Sequence, residues 1–199
     1  WAARRARKWD GVAITVLSQI GIAIPSFLAA ILLVAWFAVR LKWVPANGWS
    51  VPSEDFGGFV ARLILPVISL GIVQAAIMTR YVRSAVLDVM DEDFMRTARA
   101  KGLSPGQALM AHGLRNAALP VLTVTGLQIT NLLIGAVVIE KVFVIPGLGS
   151  MLLQAVTDRD LPTVQTIVMV LVIFAVVVNA MVDVAYAVVD PRTRSEVTA

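Results

Sequence analysis

The residues of this chain able to do chemistry are few, and most stand alone. His112 is the single histidine and cysteine is absent, which removes thiolate nucleophiles, disulfides and the usual zinc sites. Ahead of Leu114-Arg115-Asn116, His112 reads as a packing or capping group. Asp158 and Asp160 would fall on opposite faces of a strand and have no nucleophile or metal partner nearby. Gly147-x-Gly149-Ser150 lacks the Lys-Ser/Thr that completes a phosphate-binding loop. More informative are polar residues that recur at helical spacing inside apolar stretches. Thr125, Gln128 and Asn131 follow at i, i+3, i+6, with Gly135 extending the face, and Asn179, Asp183 and Tyr186 follow at i, i+4, i+7. Lipid tolerates such side chains poorly, so these faces point to a bundle interior or a translocation path. Helix-to-helix hydrogen bonding is the competing reading of the first stripe. Pairing with a basic residue near the end of its stretch is the competing reading of Asp183. The chemistry implied is passage and binding, with no enzyme, cofactor or metal expected in this chain.

The elements that carry these residues are set by hydrophobicity. Of 199 residues, 58% are hydrophobic, and the mean hydropathy of +0.82 exceeds what a soluble core needs. Four stretches, about 12–39, 60–79, 117–139 and 163–189, approach or exceed the ~20 apolar residues that cross a bilayer. Backbone groups in lipid must pair within their own segment, and unbroken Ile/Leu/Val/Ala runs lack the alternation of barrel strands. The expected fold is all-α and polytopic, one transmembrane domain over 1–199.

Charge orients it. Arg4, Arg5, Arg7 and Lys8 precede the first stretch. Arg80, Arg83, Arg96, Arg99, Lys101 and Arg115 lie between the second and third, and Arg192 and Arg194 follow the fourth. These are most of the 17 basic residues, so both ends and the 91–116 insert are expected to be cytoplasmic. The loops 40–59 and 140–162 then face outward, with Trp43 and Trp49 as interface anchors and a short helix over Ser150–Val156 between turns. A pI near 10.0 fits orientation and contact with anionic lipid better than nucleic acid.

The insert has its own helical grammar. Asp91 is the expected cap of a first helix whose opening turn holds Glu92 and Asp93, and Gly102 ends it at a left-handed position. Ser104 then caps a second helix, with Pro105 in the first position and Gln107 completing a capping box. Apolar Phe94, Met95, Leu103 and Leu109 make it more than a surface helix pair. A helix-turn-helix reading of Ala98 and Gly102 fails because both ends are tied to the bilayer. It is a docking surface.

Here the residues carry a resemblance. Arg96-Thr97-Ala98, with Gly102 four positions on and Leu119-Pro120 beyond, resembles the cytoplasmic loop of the inner-membrane permease subunits of binding-protein-dependent ABC importers. Arg96 and Thr97 stand where the general pattern has Glu and Ala, and Pro120 lies farther from the glycine. Both departures resemble the peptide and nickel branch, as do Arg96–Leu103 and His112–Pro120 as a whole. Ile24-Pro25-Ser26-Phe27, Trp43-x-Pro45-x-x-Gly48, Glu140-x-x-Phe143-x-x-Pro146-Gly147-Leu148-Gly149, Arg159-Asp160-x-Pro162 and Asp190-Pro191-Arg192 are similar to the B-type permease of dipeptide and oligopeptide importers.

The resemblance implies a helical bundle of the type I importer kind, with four of six spans present here, in a bacterial or archaeal plasma membrane. It implies a C-type permease partner, two ATP-binding cassette subunits that hold ATP and Mg, and an extracytoplasmic binding protein that delivers cargo. It places the ATPase-subunit docking surface on Glu92, Asp93, Phe94, Arg96, Thr97, Ala98, Arg99, Ala100, Lys101, Gly102, Leu103 and Ser104. Cargo among peptide, nickel, haem and sugar stays open. A secondary carrier would need several midplane charges or broken helices in matched halves, and a membrane hydrolase would need a partner for Asp183.

Overall fold

The computed structural model describes residues 9–189, and for Trp9, Asp10 and Gly11 the backbone alone. Arg4, Arg5, Arg7, Lys8, Arg192, Arg194 and the Asp190-Pro191-Arg192 motif lie outside the described residues. Those described are helices joined by turns, bends and irregular loops, with no strand among them. In order they are α1 (Trp9–Ala23), α2 (Ser26–Leu33) with a π-helical continuation Val34–Arg40, α3 (Phe56–Met90), α4 (Asp93–Ala100), α5 (Pro105–Ala108) with a π-helical turn Leu109–Gly113, α6 (Leu114–Phe143), α7 (Leu148–Thr157) and α8 (Leu161–Val189). α3, the run Pro105–Phe143 and α8 are each long and apolar enough to cross a membrane, and α1 with α2 would make a fourth. The all-α, polytopic expectation holds.

The first stretch is not one helix. Proline disfavours helical geometry in the residue before it and has no N–H to continue the ladder, so the chain breaks at Ile24-Pro25. Pro25 is extended, at φ −59° and ψ 143°. Its carbonyl then accepts from the amides of Leu28 and Ala29, both at 3.0 Å, and α2 starts. The second stretch is longer than its apolar run. α3 has 35 residues, about 52 Å at 1.5 Å per residue, because Arg80 and Arg83 are good helix formers and no Gly or Pro follows Gly71 before Met90.

The chain divides into two compact units. One holds the described residues up to Gly21, Ala75–Gln128 and the described residues from Val178; the other holds Ile22–Gln74 and Ile129–Val177. α3, α6 and α8 contribute to both. In the second unit, Ala30, Leu65, Ile139 and Phe143 form the core, with Phe37, Val44 and Leu70 packed on it. The Phe143 carbonyl accepts from the Gly48 amide at 2.9 Å. Two motifs far apart in sequence, Trp43-x-Pro45-x-x-Gly48 and the one ending at Gly149, thus meet at the buried Phe143.

That second motif is a helix cap built from a distance. The Glu140 carboxylate accepts the Ser150 amide at 2.8 Å, placing negative charge on the N-terminal turn of α7, where free N–H groups and the helix dipole favour it. Gly147 leaves room for that carboxylate, since a Cβ there would overlap it. Gly149 has a harder constraint: its Cβ would lie 2.6 Å from the Val137 Cα. α7 therefore begins at Leu148, two residues before the expected Ser150.

The segment Arg159-Asp160-x-Pro162 joins two helix ends. Arg159 is left-handed at φ 57°, and the Asp160 and Arg159 amides return to the carbonyls of Ala155 (2.9 Å) and Val156 (3.2 Å), closing α7. Asp160 then caps α8, accepting from the Thr163 amide at 3.2 Å and the Thr163 hydroxyl at 2.5 Å. The Thr163 hydroxyl, then its amide, hold the Asp160 carboxyl below its ordinary value of 3.8.

Gly149→Val should destabilise the protein by about 1–3 kcal/mol by forcing α7 off α6, read as a lower thermal midpoint in detergent. The depressed Asp160 carboxyl makes its cap contribute fully above the unfolded value of 3.8 and fade as pH falls through the lower folded value. The stability difference between wild type and Asp160→Ala should therefore be constant at neutral pH and shrink in acid.

Candidate functional site

α4 is held by the burial of one stripe and presents the rest. Met95 and Ala98, one turn apart, are 1% and 7% exposed. They pack with Ala85 and Val86 of α3, Ala108, Leu109 and Ala117, and Val89, Met90 and Leu103 close the edge. Met95, one of the four apolar residues that set the insert apart in the sequence, faces the core and not the docking side. Its helical spacing from Ala98 and its size were the available signals.

The first helix starts one residue later than Asp91 predicts. Glu92 is the extended cap residue, at φ −66° and ψ 151°, and no side chain accepts there. Asp91 still belongs to the turn that follows α3, its amide bonded to the Asp88 carbonyl at 3.2 Å. Asp93 meets Arg96 at 3.2 Å across exposed side chains, a pair worth little in water. Thr97 and Arg99 donate to the carbonyls of Asp93 (3.1 Å) and Met95 (3.3 Å) one turn back.

Both turn predictions hold in detail. Gly102 has φ +93°, and the amides of Gly102 and Leu103 return to the carbonyls of Arg99 (3.0 Å) and Ala98 (3.3 Å), the paired bonds of a glycine-closed helix end. No atom of the described residues lies within 4 Å of where a Gly102 Cβ would sit, so among them the glycine answers to backbone conformation alone. Ser104 accepts from the Gln107 amide at 3.4 Å, and Gln107 Oε1 accepts the Ser104 amide at 3.0 Å. The second helix is continuous with the third long span as Pro105–Phe143, with a π-helical turn inserted at Leu109–Gly113.

Beside this turn lies a cleft of about 430 Å³ lined by Phe94, Thr97, Ala98, Lys101, Leu103, His112 and Asn116. Apart from buried Ala98 and half-buried Leu103, the docking residues Glu92, Asp93, Phe94, Arg96, Thr97, Arg99, Ala100, Lys101, Gly102 and Ser104 are exposed. His112 is exposed as well. It lines the cleft with Asn116 instead of packing in the core. Arg115 reaches another element: its Nε donates to the Val189 carbonyl at 2.9 Å, satisfying the end of α8.

The polar stripes are less gathered than their spacing suggests. Thr125 and Gln128 are half-buried, and Asn131, Asn179 and Asp183 are exposed. The Thr125 hydroxyl donates to the Val121 carbonyl of its own helix at 2.7 Å. One residue on, a Cβ at Gly126 would come 3.1 Å from Val182, so α6 and α8 meet there, beside Thr125 and Asp183. Among the described residues Asp183 has no ion pair, and no cluster of side chains there could hold a metal.

The profile of the family described as binding-protein-dependent transport system inner membrane component matches residues 1–195. A putative peptide transport system permease protein of Brucella abortus (strain 2308) is 43% identical over 187 residues, 94% of this chain and 59% of the relative. The oligopeptide transport system permease protein AppB of Bacillus subtilis (strain 168) is 41% identical over 181 residues, 90% of this chain and 57% of the relative. A probable peptide ABC transporter permease protein of Sinorhizobium fredii is 36% identical over 193 residues, 97% of this chain and 62% of the relative. The chain thus spans less than two thirds of the length of these relatives.

Met95→Ala should cost about 2–5 kcal/mol and expose the α4 segment to proteolysis while the apolar spans stay inserted. Ser104→Ala should cost about 1 kcal/mol, read as faster amide exchange in α5.

Proposed function

The chain belongs to the family of binding-protein-dependent transport system inner membrane components, and from this we propose that it is the B-type membrane subunit of an ATP-driven importer of di- and oligopeptides. α4 and its glycine turn dock on an ATP-binding cassette subunit, whose motion on binding and hydrolysing ATP with Mg is passed to the spans. A second, C-type permease subunit completes the path, a second ATPase subunit completes the engine, and an extracytoplasmic binding protein delivers the cargo. Both ends of the chain and the α4 segment face the cytoplasm. The 1–199 stretch acts as one permease domain, with Thr125, Gln128, Asn131, Asn179 and Asp183 along the path or in the bundle interior.

The observation that carries this reading is the mounting of α4. A helix pressed by Met95 and Ala98 onto the end of α3 and the start of the α5–α6 run transmits displacement, whereas a slack loop would absorb it. Its outer face offers one aromatic ring, two arginines and a lysine beside an open cleft, a surface suited to a protein partner with acidic or carbonyl groups. The long helix continuous with the turn gives any push a direct route into a span.

Gly102→Val should leave insertion intact and abolish uptake while the ATPase still hydrolyses ATP, because φ +93° is denied to a β-branched residue. Normal peptide uptake in that variant would sink the docking role. Because the chain has no cysteine, Lys101→Cys gives a clean topology probe. It should react with an impermeant maleimide only in inside-out vesicles, and less so once the ATPase subunit is bound.

A further inference from the structure

The polar crevice between α1 and α3 has no part in the roles described so far. Thr15, Ser18 and Gln19 on α1 and Thr79, Arg80 and Arg83 on α3 enclose a cavity of about 30 Å³, room for a water or two or for the oxygens of one oxyanion. The helices close on each other about a turn away, where a Cβ at Gly21 would lie 2.8 Å from that of Ala76. Small residues permit that approach. Ala76, Arg80 and Arg83 recur at i, i+4, i+7, so the same approach draws both arginines over the cavity.

Among the described residues Arg83 Nε is buried without a hydrogen-bond partner, and none of those lining the cavity is a carboxylate. A guanidinium N–H away from water without an acceptor is costly, and a charged acceptor is its strongest remedy. Arg80 stacks over the Tyr81 ring at 5.1 Å, which steadies it while leaving its N–H edge to donate. The Ser18 hydroxyl donates to the Ile14 carbonyl at 2.8 Å, and among the described lining residues the two arginines carry the only charge.

We propose that this crevice binds the phosphate of an anionic membrane lipid, held by Arg83 and Arg80. The apolar run of α3 ends at Thr79, which sets both arginines at the depth where headgroups meet the hydrocarbon layer. Val16, Leu17 and Ile20 on α1 and Val82 on α3 stay exposed around the crevice, apolar surface that suits an acyl chain and that a soluble phosphate would not use.

The test is thermal unfolding of the delipidated protein, purified with its partners, on titration with phosphatidylglycerol, phosphatidylcholine or inorganic phosphate. Phosphatidylglycerol should raise the midpoint and the other two should not. Arg83→Gln should weaken the apparent phosphatidylglycerol affinity about tenfold, Arg83→Lys should weaken it less by keeping charge without the planar fork, and Lys141→Gln, an exposed residue of α6, should leave it unchanged. Should Arg83→Gln not fold, Arg83→Lys and native mass spectrometry of lipid retained by the wild type decide. An equal midpoint rise with inorganic phosphate would assign the crevice to a soluble anion and overturn the lipid. No response to phosphatidylglycerol, or the same response in the wild type and the Arg83 variants, would overturn the site.

Discussion

The seating of Met95 and Ala98 among Ala85, Val86, Ala108, Leu109 and Ala117 is the contact on which the rest of the candidate site depends. Methionine supplies the bulk, and the surrounding alanines let helix backbones come close enough for one long, flexible side chain to fill the space between them. Burying that side chain is worth about 2 kcal/mol from apolar area alone. Beyond Met95 and Ala98 little in α4 could hold it, because its ion pair is exposed and its cap residue makes no side-chain bond. With its inner stripe fixed, α4 has no freedom to roll, so Phe94, Arg96 and Lys101 are offered outward in a set order.

The ends of the helices show how the chain distributes backbone strain. Lys42, Val144 and Arg159 are left-handed at φ 55° to 57°, inside the small region that L-residues can enter. Gly102 sits at φ +93°, outside it. Val144 is a β-branched residue in a conformation that suits glycine, tolerated because the Ile145 amide returns to the Glu140 carbonyl at 2.9 Å while the Glu140 side chain caps α7. One glutamate thus serves two helix ends through two different atoms. Rigid joints of this kind make the short helices extensions of the long ones.

Much of this was legible in the residues, unevenly so. The capping box at Ser104 and the glycine stop at Gly102 follow from bonds spanning only a few residues, and they appear as expected. The break at Ile24-Pro25 carried a plain local signal, but the hydrophobic run across it masked the proline. Helix boundaries drifted where composition changes without a breaker: the apolar stretch 60–79 marks a membrane thickness, while the helix ignores that limit and runs to Met90. Cap preference favours Asp91 over Glu92, but the turn leaving α3 engages the Asp91 amide with the Asp88 carbonyl and leaves Glu92 as the cap. Spacing placed Thr125, Gln128 and Asn131 on one face, yet their exposure differs because neighbouring helices cover only part of it.

The sequence alone therefore determined the helical, apolar character of the chain, its basic asymmetry, the turn chemistry of the 91–116 segment and the motifs that mark the family. Each is written in residues at most a few turns apart, where periodicity, φ preference and side-chain reach to the nearest amide are the governing physics. Only the tertiary structure decided that Met95 is the anchor, that His112 and Asn116 share a cleft with Phe94, that Arg115 closes α8, and that Arg83 Nε is buried without an acceptor among the described residues. Those outcomes depend on which distant helices come within van der Waals distance, and one residue's neighbours across a bundle are not encoded in the residues beside it.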